Sequence, residues 1–331
     1  MSNPIEALKD YNINNKDIEK LKSIGIFTIQ SLYMTSRKNL LNIKGFTEKK
    51  ISYIFDMANK IEVYRLFQSG SVCMNNRNNN IFRISTGSDN LDNILEGGFE
   101  TNSLTEIMGD KNSNIIEFIH ILCLNTQKND NNNRIIFLDL EKNFSREKIL
   151  NFSKEMKING KKCLENITLI NDVDIYDELI DRLNEISENE DNKQCSLIII
   201  DSLLVIFQQL FKYTLEHHAQ FNNDIEIKLD IESKLGKVIN ILKRISILYN
   251  QAIIITRIIN NDESDNNILN GKDNLLNFDE NIELILNYEC KTRLKFRKIK
   301  NDKIKVRVLN SPMISEKECK FIITEKGIED C

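Results

Sequence analysis

Ser103-Leu-Thr-Glu-Ile-Met-Gly-Asp-Lys-Asn-Ser-Asn-Ile-Ile116 is the stretch that decides the fold. Its apolar start, Leu104 to Met108, predicts a short buried strand. Gly109 opens a polar loop, and an apolar helix is expected from about Ile115. Strand, glycine loop and helix in that order frame a phosphate, because loop N–H groups and the helix N-terminus point at the anion. A working loop reads G-x-x-x-x-G-K-S/T. Gly109, Asp110, Lys111, Asn112, Ser113, Asn114, Ile115 and Ile116 occupy those eight places. The first glycine is kept. Asn114 replaces the second glycine, Ile115 the lysine and Ile116 the hydroxyl residue.

Outward from this stretch the chain alternates strand and helix. Strands are expected at Leu104–Met108, Ile135–Asp139, Ile167–Ile170, Leu197–Ile200 and Ala252–Thr256. One intervening helical stretch carries Ile175, Leu179, Leu183 and Ile186; another carries Leu235, Val238, Leu242, Ile245 and Leu248. Continuous apolar strands between amphipathic helices imply an α/β fold, with a mostly parallel sheet covered on both faces. Such sheets bind ligands at the carboxyl ends of their strands. Glu106 lies within the first strand, Asp139 and Glu141 follow the second, and Asp201 follows Leu-Ile-Ile-Ile. An Asp after four apolar residues suits a Walker B carboxylate on Mg²⁺, and equally a cap for the next helix.

After Ile285 antiparallel strands are expected at Tyr288–Ile299 and Lys303–Leu309, turning at Lys300-Asn-Asp-Lys, with a last strand at Phe321–Thr324. Lys291–Arg307 holds nine basic residues and one acid, alternating with Leu294, Phe296, Ile299, Ile304 and Val306. One strand face is therefore apolar and the other cationic, either a solvated edge or a nucleic-acid contact.

Residues 1–66 form a separate small all-α domain. Leu21-Lys-Ser-Ile-Gly25-Ile-Phe-Thr and Leu41-Asn-Ile-Lys-Gly45-Phe-Thr-Glu share a pattern of tight glycine turn and Thr-capped helix. Ile51, Ile54, Phe55 and Ala58 give the following helix its apolar face. This is helix-hairpin-helix-like, with Lys44, Gly45, Lys49 and Lys50 placed for a DNA backbone; a plain helical domain with solvated lysines is the other reading. Residues 67–82 read as a polar linker around Phe67.

Composition excludes less than pattern does. The 331 residues are 41% hydrophobic and 28% charged, enough for one large domain and a small one, and a net charge of −4 points to no bulk polyanion affinity. No apolar run approaches the roughly 18 residues of a membrane span, and the acidic N-terminal stretch does not read as a signal peptide. Seven scattered cysteines without a C-x-x-C pair fit reduced thiols. His217 and His218 are adjacent in sequence and do not form a metal pair; no metal site is expected.

Together these pieces resemble the RecA-like strand-exchange recombinases of archaea and eukaryotes, over nearly all of the chain. The carrying residues are Leu41-Asn-Ile-Lys-Gly45, Ile84-Ser-Thr-Gly-Ser-Asp-Asn-Leu-Asp92 and Glu96-Gly-Gly-Phe-Glu-Thr-Asn-Ser-Leu-Thr-Glu106. Phe137-Leu-Asp-Leu-Glu141, Leu197-Ile-Ile-Ile-Asp-Ser202, Leu309-Asn-Ser-Pro-Met and Phe321-Ile-Ile-Thr-Glu-Lys-Gly-Ile-Glu-Asp330 extend it. The resemblance implies a RecA-like core over 83–331, ATP and Mg²⁺ as cofactors, single- and double-stranded DNA as partners, self-association or assembly with another recombinase into filaments, no membrane, and a nuclear location. It implies that Glu141 activates water, that Asp201 is the Walker B acid, that Lys148 stands in place of an adenine-stacking arginine, and that Phe67 and Gly70 dock one subunit on the next.

The departures fall together. Arg257 and Ile258 replace an Asn-Gln that senses the γ-phosphate in the family, and Ile115 and Ile116 supply neither charge nor hydroxyl. A first DNA loop is expected within Gln208–Lys234, without arginine, and an acidic, Asn-rich second one at about Asn260–Asn277. The expected function is a DNA- or filament-associated subunit in homologous recombination and repair, with ATP binding and hydrolysis weakened or lost. An active ATP-dependent recombinase and a non-DNA-binding adaptor are the alternatives.

Overall fold

The computed structural model describes residues 4–66, 70–71, 74, 81–128, 133–189, 195–217, 224–259 and 282–331. The chain divides into two compact units, Met1–Ile81 and Phe82–Cys331.

In the first unit a short 3-10 helix, Ile5–Tyr11, precedes α1 (Asn15–Ser23), α2 (Ile29–Met34), α3 (Arg37–Leu41) and α4 (Glu48–Leu66). The α1–α2 and α3–α4 connections repeat one solution. Gly25 and Gly45 take φ 81 and 89, which favours glycine. Each is followed by a buried side chain, Ile26 or Phe46, and then by a threonine. Thr28 caps α2 by accepting from Ser31 N–H at 3.1 Å, and Thr47 accepts from Lys50 N–H at 3.3 Å. Ile18, Leu21, Ile29, Leu32, Ile51, Ile54 and Ala58 make the core.

In the second unit β1 (Arg83–Ile84) and β2 (Phe99–Glu100) pair antiparallel, flanking α5 (Asp89–Ile94). The main sheet runs β3 (Ser103–Gly109), β4 (Arg134–Asp139), β5 (Ile167–Ile170), β6 (Cys195–Asp201), β7 (Ala252–Ile258), β8 (Thr292–Lys298), β9 (Lys303–Asn310), β10 (Glu318–Thr324) and β11 (Gly327–Asp330) in sequence. In space the order is β11-β10-β9-β8-β3-β7-β6-β4-β5. β8, β3, β7, β6, β4 and β5 pair parallel, and β9 to β11 add antiparallel. β3 lies between β7 and β8 with all seven residues buried, so Gly109 leaves the middle of the sheet.

α6 (Ile115–Lys128) packs on one face with the antiparallel strands. Phe118 is its anchor, 5.0 Å from the Phe296 ring and 5.9 Å from that of Phe321. Two short helices, α7 (Arg146–Glu155) and α8 (Gly160–Glu165), follow β4. α9 (Tyr176–Glu188), α10 (Leu203–His217), α11 (Asp224–Tyr249) and a helix at 282–289 cover the other face.

Four expectations change. Within Gln208–Lys234 the described residues, up to 217 and from 224, are helical, because Phe207 and Phe211 on α10, and Ile227, Ile231 and Leu235 on α11, bury one face of each helix in the core. Ile175 is the residue before α9 and is 56% exposed; Leu179, Leu183 and Ile186 form the buried seam, with Tyr176 and Ile180 packed beside it. Tyr288 ends the 282–289 helix, 82% exposed, and the strand starts only at Thr292, since Ile282, Leu286 and Cys290 face the core at helical spacing. Arg293, expected on the cationic face, is buried. Phe67 and the second loop at 260–277 lie outside the described residues.

Candidate functional site

Gly109 has no room for a side chain. A Cβ there would stand 2.6 Å from the Phe296 carbonyl oxygen and 2.6 Å from Ser113 Oγ. Asn114 takes φ 56, so the turn that the second glycine would make is kept by an Asn in left-handed geometry. The shape of a phosphate loop thus survives, but two of its amides are turned to Asp110. Asn112 N–H donates to Asp110 Oδ1 at 2.9 Å, Ser113 N–H to Asp110 O at 3.0 Å, and Ser113 Oγ–H to the same oxygen at 2.5 Å. The Asp110 carboxylate thus takes one loop amide and its carbonyl a second. Ile115, 2% exposed, joins the core beside Phe118 and Ile119, and Ile116 is half-buried.

These residues do not fit a magnesium triphosphate. Two loop amides are already satisfied, a carboxylate sits inside the loop, and neither a cation nor a hydroxyl follows Asn114.

The carboxylates across the sheet keep an ordered arrangement. Asp139 accepts from Asn143 N–H at 2.8 Å and Phe144 N–H at 3.0 Å. The Asp201 carbonyl accepts from Leu140 and Glu141 N–H at 2.6 and 3.0 Å, joining the ends of β4 and β6. Asn143 Nδ2 bridges Glu141 Oε2 and Asp201 Oδ2, each at 3.1 Å. Thr256 Oγ1 donates to Asp201 Oδ1 at 2.5 Å. Burial pushes the Asp201 carboxyl above its usual range, aided by the charge of Asp139. Burial also raises Glu141, and the Asp201 charge raises it further. Among the described residues no group of three His, Cys, Asp or Glu is placed to hold a metal ion.

Three residues of this neighbourhood escape the sequence reading: Asn143, Thr256 and His120. His120 is fully buried in α6, with Nδ1 2.6 Å from Ile116 O and Nε2 accepting from Ser145 N–H at 2.9 Å. These partners require the neutral ring with its proton on Nδ1. Burial accordingly pushes its pKa down. The ring ties the first turn of α6 to Ser145, the cap of α7. No periodicity marks it, because a buried polar residue looks like a break in an apolar helix face.

Lys148 Nζ donates to Glu117 Oε1 at 2.6 Å, beside a cavity of about 390 Å³ lined also by Phe152 and Glu325. Burial works against the Glu117 charge, yet the hydrogen bond and charge of Lys148 hold its carboxyl below the usual range. Arg257 Nε donates to the fully buried Glu106 Oε1 at 2.8 Å, and Ile258 packs against the core. The two positions after Thr256 therefore face inward.

In the first unit Lys44 and Lys49 are exposed, and the Lys44 carbonyl accepts from Lys20 Nζ at 2.7 Å. Lys50 is held by Asp17 at 2.7 Å and lies 5.3 Å from the centre of the Phe46 ring, so it is less available than its two neighbours. Gly70 is exposed. No described helix is long and apolar enough to cross a membrane.

A family model described as Rad51 matches residues 77–331. The chain is 29% identical over 333 residues to the meiotic recombination protein DLH1 of Candida albicans, covering 98% of this chain and 97% of that protein. It is 28% identical over 332 residues to the meiotic recombination protein DMC1 of Saccharomyces cerevisiae, covering 98% and 94%. With the DNA repair protein RAD51 homolog 1 of Arabidopsis thaliana it shares 27% over 332 residues, covering 99% and 92%.

Proposed function

The chain belongs to the Rad51 family, and we propose that it acts in homologous recombination and DNA repair as a DNA- or filament-associated subunit whose ATP binding and hydrolysis are weakened or lost. One observation carries this reading: Asp110 takes the amides of Asn112 and Ser113 while Ile115 turns into the core. Phosphoryl transfer relies on positioning and charge neutralisation, and this loop supplies neither to a triphosphate. Asp201 and Glu141 keep a hydrogen-bonded arrangement through Asn143 and Thr256, which supports their descent from a nucleotide site.

In this reading the first unit works as a helix-hairpin-helix domain, with residues 1–66 as its extent. Gly45 opens the approach to a phosphate, and Lys44 and Lys49 neutralise the DNA backbone. Phe67 and Gly70 contribute to assembly with another copy or with an active recombinase. Single- and double-stranded DNA are the partners, and the nucleus is the location.

The test is nucleotide binding and hydrolysis by the full-length protein, with and without single-stranded DNA. Expected are no Mg²⁺-dependent turnover and DNA binding that weakens steeply with salt. Turnover that collapses on Asp201→Ala or Glu141→Ala would replace the proposal with an active recombinase. Absence of DNA binding at low salt would replace it with an adaptor.

A further inference from the structure

Four charged side chains meet where β3, β7 and β8 face the 282–289 helix. Glu106 is fully buried in β3. Each of its oxygens takes one arginine: Oε1 accepts from Arg257 Nε at 2.8 Å and Oε2 from Arg293 Nε at 2.5 Å. Both arginines are nearly buried, with side chains 6% and 5% exposed. Among the described residues, one carboxylate against two guanidiniums leaves this buried trio one positive charge in excess, which a protein interior tolerates poorly.

Glu283 supplies the missing charge from the rim. Its side chain is 47% exposed, and its two oxygens divide between the arginines, 3.6 Å from Arg257 Nη2 and 3.4 Å from Arg293 Nη2. Charge-assisted hydrogen bonds run shorter, about 2.7–2.9 Å. Arg257 Nη2 otherwise has only a 3.6 Å contact with Met108 Sδ, whereas Arg293 Nη1 is held by Asn287 Oδ1 at 2.9 Å. Glu283, held at long range and half-exposed, can therefore be exchanged for another anion, whereas the buried arginines cannot leave. A phosphate presents the same pair of oxygens to the same two forks, and guanidinium geometry suits it.

We propose that the position against Arg257 and Arg293 now held by the Glu283 carboxylate is an oxyanion site that a phosphate group can take. The phosphate comes either from a nucleic-acid backbone or from a free anion. The site does not depend on whether residues 109–116 bind nucleotide. It assigns Arg257 a role that its place in an apolar strand would not suggest.

Orthophosphate and a single-stranded oligonucleotide are titrated separately into the full-length wild type, Glu283→Ala, and Glu283→Ala combined with Arg257→Gln, with melting temperature as the control for folding. Glu283→Ala is expected to tighten binding about tenfold, the scale of one charge-assisted hydrogen bond. A gain for the oligonucleotide identifies a backbone phosphate; a gain for orthophosphate alone identifies a free anion. Adding Arg257→Gln returns affinity to the wild-type level, because Glu106 and Arg293 then form a neutral pair. The proposal is overturned if Glu283→Ala binds neither anion more tightly, or if its gain survives Arg257→Gln. Should Glu283→Ala melt well below the wild type, Glu283→Gln keeps the volume without the charge, and the same comparison decides.

Discussion

The glycines at 45 and 109 both precede helix N-termini, and the two sites have diverged in opposite directions. At Gly45 the turn is flanked by exposed Lys44 and Lys49, and a threonine caps the helix that follows. At Gly109 the turn is equally tight, but Asp110 takes the amides of Asn112 and Ser113, and Ile115 is buried. The difference teaches that a glycine turn before a helix is only a frame. Anion binding needs donors that are left open and a cation at the mouth. The first turn retains the cations, and the second has internalised both donors and side chains.

The sharpest way to break this comparison is Ile115→Ala. A residue meant for phosphate would barely affect stability, whereas a packed one costs about 2–5 kcal/mol. Denaturant melts of the wild type and variant should differ by that amount; a difference near zero would return position 115 to the solvent side.

The hydrogen bonds around the carboxylates come next. Thr256→Val leaves Asp201 short of one donor and should cost about 1–3 kcal/mol. The pH dependence separates two groups. Asp201 and Glu141 are raised in the folded state, so their destabilising effect is complete above the raised values and fades as pH falls toward their usual values of 3.8 and 4.5. His120 is lowered, so its contribution is present above its usual value of 6.5 and is lost as pH falls below it. Stability of the wild type should therefore drop on acidification from pH 6.5, and His120→Gln should flatten that drop in melts taken between pH 7.5 and 5.5. A wild-type profile flat across that window would remove His120 from the α6–α7 link.

Smaller still is the Lys148–Glu117 pair. It is partly exposed, so Lys148→Ala should cost about 0.2–1 kcal/mol, and less at high salt. The smallest stability effect belongs to the Gly45 turn. Lys49→Ala should stay within about 0.5 kcal/mol of the wild type in a thermal melt. It should nevertheless weaken DNA binding uniformly across sequences and lower the salt slope by about 1. Loss of fold without loss of binding would reverse the roles of the two turns.

Much of the fold is legible in local pattern. Leu197–Ile200 and Ala252–Thr256 read as strands because continuous apolar runs cannot face water on either side. Asn114 reads as a surviving turn because its side chain tolerates left-handed backbone. Tyr288 is misread because an apolar run next to a strand carries no mark of where helix gives way to sheet; packing of Ile282, Leu286 and Cys290 settles it. The helices within Gln208–Lys234 are missed because the resemblance expects a loop there, and their apolar residues acquire meaning only against the core they join.

The site divides in the same way. That Ile115 and Ile116 bring no charge or hydroxyl follows from residue identity, since no conformation gives an alkyl side chain a donor. That Arg257 faces Glu106 and that Arg293 leaves the cationic strand face depend on partners 151 and 187 residues distant in the chain. Backbone preference and side-chain chemistry are local and can be read in order. Which polar groups satisfy one another is a question of burial, and only the folded chain answers it, because a charge shut away from water must find its partner wherever the sheet has brought one.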